Sequence, residues 1–392
     1  MRVVIAPDSF KGSLSAKNVC SIMKEAFQHE YPEAAVIAVP MADGGEGTME
    51  AIVSAMNGSV RYVTARGPLF ETRQAAYGVV GDTVIIEVAQ VIGLPLVPNE
   101  KRHPLHTTTY GVGEIIAAAL HAGYRRFVIG LGGSSTNDGG FGMLCALGAT
   151  FTNEKGELLP PMPSSLPHIA HVHMASLDRR IYESEFLIAC DVDNPLYGER
   201  GASYVFGPQK GADRETVRTL DKWLYTYAQK IEQQIGHSYA LERGAGAAGG
   251  LGFAFLLLGG TLISGAKLVG ETVQLPQKVK HAHVVITGEG QSDEQTLYGK
   301  VPFYVGQLAK QYDVPAFLLS GSLGDGFEKL YEYFVSCDAI ATKPMTVEQS
   351  MQSASTLLYT KARNLARMLK RFPSRKPLEF LFNFIFIKHC SK

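Results

Sequence analysis

The stretch Phe127–Gly140, FVIGLGGSSTNDGG, constrains the fold of this chain more than any other. Phe127–Leu131 reads as a buried strand that runs into glycines, small hydroxyls, an amide and a carboxylate. An apolar run with helical character, FGMLCALGA, follows from Phe141. Strand, glycine-rich loop and helix in that order belong to parallel α/β architecture, where backbone N–H groups at a positive helix end meet anionic oxygens. Similar polar loops follow several other strands, and together they suggest a site for an anionic, phosphorylated ligand.

The chain of 392 residues exceeds one ordinary core, so two domains are expected. Its 41 glycines exceed the usual share of ~7% and cluster in short loops, as tight turns and close backbone–ligand approach require. With 37 basic and 37 acidic residues the formal net charge is zero, which argues against a nucleic-acid or membrane-surface partner. Five scattered cysteines without a CxxC read as reduced thiols. No apolar run reaches the ~20 residues of a membrane span, and Arg2 leads directly into the strand-like VVIAP without a signal segment. The expectation is a soluble, cytoplasmic protein, with self-association left open.

Along the chain, a strand at Val3–Ala6, the loop PDSFKGS and a helix from about Leu14 to Glu30 form one βα unit, with Ser13 or Ser15 as N-cap. A strand at Val36–Val39, the loop PMADGGEGT and a helix from about Glu46 form a second. Adjacent strands then replace the alternation between Gly67 and Val88, and clean alternation resumes at His283–Thr287, ending in one long helix over Val347–Lys370. The economical architecture is α/β: a flavodoxin-like parallel-sheet domain of residues 1–66 and 282–372, split by a large inserted α/β domain of residues 67–281. Strand order 2-1-3-4-5 would place the loop of Asp8 and Lys11 beside that of Glu289 and Asp293 at the topological switch point. The tail 373–392, basic and then aromatic, fits neither domain.

Several loops could carry chemistry. Asp8 with Lys11, and Asp43 with Glu46, pair charges at helix starts, and each loop also reads as an ordinary capping turn. GLGGSSTNDGG is richer in polar groups than a turn needs, yet it is neither a Walker A loop nor a dinucleotide fingerprint. GAGAAGGLG, Gly244–Gly252, matches GxGxxG but follows a poor strand, so close helix packing or a helix end facing phosphate is the better reading. CDVDNPL sets Asp191 and Asp193 on one side of an extended chain, suited to a hard cation or to a plain turn. VFGPQKGA offers Gln209 and Lys210, and VVITGEGQSDEQTLYGKVP carries Glu289, Asp293 and Lys300 at a strand end. No histidine pattern or nucleophile elbow supports acyl chemistry. This inventory suits phosphoryl transfer from a nucleotide, which works by positioning, Mg²⁺ and cations.

As an ordered set, VIAPDSFKGSLSA, MADGGEGT, GLGGSSTNDGG, ACDVDNPL, VFGPQKGA, GAGAAGGLG and VITGEGQSDEQ–GKVP closely resemble the bacterial type I glycerate kinases, from residue 1 to about 370. The resemblance implies ATP, Mg²⁺ and D-glycerate, with phosphoglycerate, leaning to the 2-isomer, and ADP as products. Location at strand ends then suggests roles in a cleft between the domains. Lys11 would neutralise the transferring phosphoryl, and Asp191 and Asp293 would ligate Mg²⁺ or accept the hydroxyl proton. Gly132, Gly133, Ser134, Ser135 and Asn137 would cradle nucleotide phosphates through backbone N–H groups, and Glu289 would join them in binding nucleotide. Asp8, Ser9, Asp43 and Arg66 would bind substrate, Arg66 through the glycerate carboxylate. Gln291 stands where the family usually has arginine in GEGRxD, EVAQVIGL replaces EMAxASGL, and the tail departs from the family's ending. A Mg²⁺-dependent phosphatase and a non-catalytic nucleotide-binding module remain as alternatives.

Overall fold

Short runs rich in β-branched and apolar residues form the main strands. In chain order these are β1 (Arg2–Ile5), β2 (Ala35–Ala38), β3 (Ser59–Arg66), β4 (Thr72–Val80), β5 (Thr83–Glu87), β6 (Arg126–Gly130), β7 (Glu185–Ala189), β8 (Thr261–Ile263), β9 (Val284–Thr287), β10 (Ala316–Ser320) and β11 (Ser336–Ala339). The computed structural model describes residues 1–371, so the tail 373–392 lies outside the described residues. The chain divides into unit 1, Met1–Pro40 resumed at Gln274, and unit 2, Met41–Val273.

Unit 1 is a parallel five-stranded sheet ordered β11-β10-β9-β1-β2, the flavodoxin-like 2-1-3-4-5 sequence of strands. Val3 faces Val284 on one side and Val36 on the other. Alternate residues Val3, Ile5, Val284, Ile286, Phe317 and Leu319 share a core with the helices Ala16–Glu30 and Ala354–Arg371. The first helix buries Val19, Cys20, Met23, Ala26 and Phe27, an apolar stripe at helical spacing, and Ser15 caps it by accepting the Asn18 N–H at 3.3 Å. Glu30 at its end accepts hydrogen bonds from Arg363 and Arg367 of the last helix. The expected single helix over Val347–Lys370 is two, Val347–Gln352 and Ala354–Arg371, divided at Ser353, whose φ of −98° and ψ of 4° leave the helical range.

Unit 2 holds a six-stranded sheet ordered β8-β7-β6-β5-β4-β3, parallel from β5 to β8 and antiparallel across β3, β4 and β5. Its core packs Ile86, Ile129 and Ile188 with an aromatic layer in which Phe127 and Phe186 stack at 4.9 Å. The units divide after Pro40 and after Val273, upstream of the expected positions 66 and 281. Two contacts place the boundary. Ser59–Arg66 pairs along its whole length with β4, from Ser59 opposite Val79 to Arg66 opposite Thr72. Glu87, at the end of β5, accepts the N–H groups of Gly47 and Met49 at 3.1 Å each and so caps the helix Thr48–Ala55. That helix lies where Met49 and Val53 meet Gly78 of β4. A strand–loop–helix pattern reads the same whichever sheet it joins, and only these pairings assign MADGGEGT, from Met41, to unit 2.

Candidate active site

In unit 1 the loops leaving β1, β9 and β10 line a cavity of about 560 Å³, a size suited to a small-molecule ligand. Its lining combines polar residues, Asp8, Ser9, Lys11, Glu289, Asp293 and Lys300, with apolar ones, Ile340, Met345, Val347 and Met351. The Asp8 N–H donates to the Gly288 carbonyl at 2.8 Å and locks the first loop to the third, while its carboxylate accepts the Ser9 N–H at 2.6 Å. Gly321 is where backbone meets backbone, since a Cβ there would stand 2.3 Å from the Gly290 carbonyl oxygen.

Glu289 lies buried in this lining, accepting from the Ser292 hydroxyl at 3.0 Å and the Thr296 hydroxyl at 2.7 Å, with the Lys300 ammonium at 3.5 Å. Burial pushes its carboxyl above the usual range, and the hydroxyl bonds and Lys300 oppose that shift. Asp293 caps the short turn Glu294–Leu297 by accepting the Gln295 N–H at 2.9 Å, and its own N–H donates to the Thr296 hydroxyl at 3.1 Å. Lys300 immediately precedes the helix Val301–Gln311, whose Pro302 suits a first turn. Two lysines and three carboxylates therefore converge at the carboxyl ends of β1 and β9, at the sheet's topological switch point.

In unit 2 the loops after β6 and β7, with the Asp43 loop, meet mainly through backbone. The Gly132 N–H donates to the Gly44 carbonyl at 3.1 Å, and a Cβ on Gly132 would stand 2.5 Å from the Gly45 Cα. The Gly265 N–H donates to the Asp191 carboxylate at 2.9 Å, and its Cα approaches so closely that a Cβ would lie 1.9 Å from the Asp43 carbonyl oxygen. Behind this surface Asp138 is wholly buried and accepts the Thr109 N–H at 2.9 Å, the Thr109 hydroxyl at 2.8 Å, the Gly140 N–H at 3.0 Å and the Gly142 N–H at 3.2 Å. Desolvation pushes its carboxyl upward and those four bonds pull the other way. Lys210 is 3% exposed and donates to the Thr136 carbonyl at 2.7 Å and the Ser134 hydroxyl at 3.1 Å. The GAGAAGGLG segment packs backbone on backbone here: the Gly139 N–H donates to the Gly249 carbonyl at 2.9 Å, and Gly249, at φ +70°, presses against Thr136.

Of the residues singled out in the sequence, unit 1 gathers Asp8, Ser9, Lys11, Glu289 and Asp293 around one cavity. In unit 2, Asp43 and Asp191 meet at Gly265, and Gly133 is the exposed tip of the glycine loop. The side chains of Ser135 and Asn137 turn inward: the Ser135 hydroxyl donates to the Ile92 carbonyl at 2.8 Å and the Asn137 amide to the Ser203 hydroxyl at 2.9 Å. Ser134 is likewise buried against Lys210, so these side chains hold the loop from behind. Arg66 ends the edge strand β3, where its guanidinium donates to the Thr72 hydroxyl at 3.1 Å and lies 5.0 Å from the Phe70 ring centroid, engaged within its own hairpin. Lys300, Lys210, Glu87 and Asp138 were not assigned roles from sequence. For both lysines the available signal was a basic residue bounded by glycine within a box of small and polar residues.

The model of the glycerate kinase family matches residues 3–370. The chain belongs to the glycerate kinase family. A glycerate kinase of Halalkalibacterium halodurans is 45% identical over 368 residues, covering 93% of this chain and 97% of that protein. The glycerate 2-kinase of Escherichia coli K12 is 40% identical over 373 residues, covering 94% and 98%. A crystal structure assigned as glycerate kinase 2, from Salmonella typhimurium LT2, superposes with a TM-score of 0.86 at 39% identity, covering 96% of this chain and all of that one. As a glycerate kinase family member the chain is an enzyme, a phosphotransferase with an alcohol group as acceptor. Among the described residues no helix is long and apolar enough to cross a membrane.

Proposed function

We propose that this enzyme transfers the terminal phosphoryl of ATP to the 2-hydroxyl of D-glycerate, giving 2-phosphoglycerate and ADP, in the cytoplasm where ATP is supplied. The convergence of Lys11, Lys300, Asp8, Glu289 and Asp293 on one cavity of unit 1 carries this reading. The name glycerate 2-kinase on the Escherichia coli relative supports the choice of hydroxyl. In the transfer the glycerate oxygen forms a bond to phosphorus, the bond from phosphorus to the ADP oxygen breaks, and the hydroxyl proton passes to a carboxylate. Lys11 and Lys300 offset the charge on the moving phosphoryl, and buried Glu289 holds the Lys300 ammonium in place.

Among the described residues no three histidine, cysteine or carboxylate side chains form a metal cage. Single carboxylates beside lysines suit Mg²⁺ carried on nucleotide phosphates, which takes one or two protein carboxylates and keeps several waters. Asp293, in the cavity of unit 1, is a carboxylate for that ligation or for accepting the proton, and Asp191 offers the same chemistry within unit 2. When bound, Mg²⁺ neutralises phosphate charge. Unit 2 adds an anion-facing loop at Gly132 and Gly133, with Asp43 and Asp191 alongside.

A coupled ADP-release assay with ATP, Mg²⁺ and D-glycerate, followed by ³¹P NMR of the product, tests the proposal. Glycerate-dependent ADP and a phosphorus signal coupled to the C2 proton are expected. Phosphate released from phosphoglycerate without ADP would instead identify a phosphatase, and ATP binding without turnover of the acceptor a nucleotide-binding module.

A further inference from the structure

Lys210 sits in a single turn, Pro208–Lys210, bounded by Gly207 and by Gly211, which at φ +94° lets its backbone press against the Arg102 carbonyl. The turn thrusts the side chain into the interior behind the Ser134–Asn137 segment. The Thr136 carbonyl and the Ser134 hydroxyl oxygen accept from the lysine there, and in the same segment the Thr136 hydroxyl and the Asn137 amide oxygen are buried without a hydrogen-bond partner. An ammonium has donors and no acceptor, so it fits this lining where a neutral side chain would leave further oxygens unpaired. Asp138 is the charged group whose field reaches the ammonium, and its carboxylate is occupied by Thr109, Gly140 and Gly142. On the flanks, the Arg102 Nε donates to the Val97 carbonyl, and Asp213, under the influence of His103, caps the following helix.

We propose that Lys210 is the positioning residue of the glycine loop, a buried ammonium that holds Ser134 and Thr136 so that the Gly132–Gly133 tip keeps its ligand-facing shape, and that the loop loosens when the ammonium loses its proton. The functional consequence rests on the reading of Gly132–Gly133 as an anion-facing loop; the lock itself does not. Burial lowers the Lys210 proton affinity to about 7, so the charged, tightly bonded form holds below neutral pH and a weaker amine replaces it above.

The test is hydrogen exchange of the full-length wild type, K210M and K210R from pH 6 to 8.5, corrected for intrinsic exchange and read on peptides covering residues 131–137. Wild-type protection should fall several-fold across that range. K210R, always charged, should stay protected and flat, and K210M low and flat. In K210M the KM of the substrate bound at the loop should rise ~10-fold with a smaller change in kcat. Protection in K210M equal to wild type at pH 6, or a loss spread evenly over unit 2, would overturn the proposal. If K210R does not fold, the wild-type pH profile set against K210M decides alone. Because exchange is read without turnover, a failed ADP assay would count against the proposed reaction and not against the lock.

Discussion

The two units set polar loops at the carboxyl ends of parallel strands, yet they build them from opposite materials. In unit 1 the polar side chains of Lys11, Asp293 and Lys300 line a cavity together with the buried carboxylates of Asp8 and Glu289. In unit 2 the conspicuous polar residues Ser134, Ser135, Asn137 and Asp138 are buried, and glycine backbone forms the outward tip. A side chain on a cavity wall can be exchanged with little harm to the fold, whereas a buried polar side chain leaves unpaired partners when it goes. The contrast teaches that a polar loop can be functional in two ways, by what it presents and by what it hides.

The sharpest way to break this contrast is Asp138→Ala. It orphans three buried N–H groups and a hydroxyl, so unit 2 should lose about 3–5 kcal/mol in urea unfolding. A loss below about 1 kcal/mol would show that the buried network is dispensable. Lys11→Met tests the opposite pole, with kcat expected to fall ~10²–10³-fold, about 3–4 kcal/mol, and the unfolding midpoint nearly unmoved. A stability loss instead of a rate loss would erase the distinction between the units. Gln291→Arg restores the charged fork usual in the family on an exposed, cavity-lining position, and should lower the KM for an anionic substrate up to ~10-fold.

Glu289→Gln has the smallest effect and sharpens the comparison within unit 1, since Glu289, like Asp8, is buried while the lysines beside it are not. Burial raises this acid's folded pKa above its unfolded value, so the folded state holds the proton longer. Its stability contribution is then fully present at low pH and is lost as pH rises from the ordinary carboxylate value of 4.5 through the raised one. Glutamine does not titrate, so the stability of the variant relative to wild type should climb with pH across that window. A difference independent of pH, measured by unfolding at several pH values, would contradict the assignment.

Much of unit 1 was legible in the sequence. Valine- and isoleucine-rich runs, each followed by a polar loop, specify parallel strands, and the rule for α/β switch points brings β1 beside β9 despite the long insertion between them. The gathering of Asp8, Ser9, Lys11, Glu289 and Asp293 around one cavity followed, because they lie in the loops that leave those two strands. Unit 2 was legible in its loops but not in their orientation. Small polar residues such as Ser135 and Asn137 serve equally as ligand contacts or as interior struts, and the partner that decides, the Ile92 carbonyl or Ser203, is remote in sequence. The contacts of Arg66 were hidden for a related reason, since its place within the β3–β4 hairpin depends on where Phe70 and Thr72 fold back.

The order of glycine-rich boxes, the alternation of strands and helices and the choice of lysines and carboxylates determined the family and the α/β class, because each is a property of residue type and spacing along the chain. Tertiary structure alone decided where the units divide, which polar side chains face outward and which lysine is sealed inside. Those outcomes rest on pairings between distant segments, such as Glu87 with Gly47 and Lys210 with Thr136, whose hydrogen bonds compensate burial only once both partners have arrived.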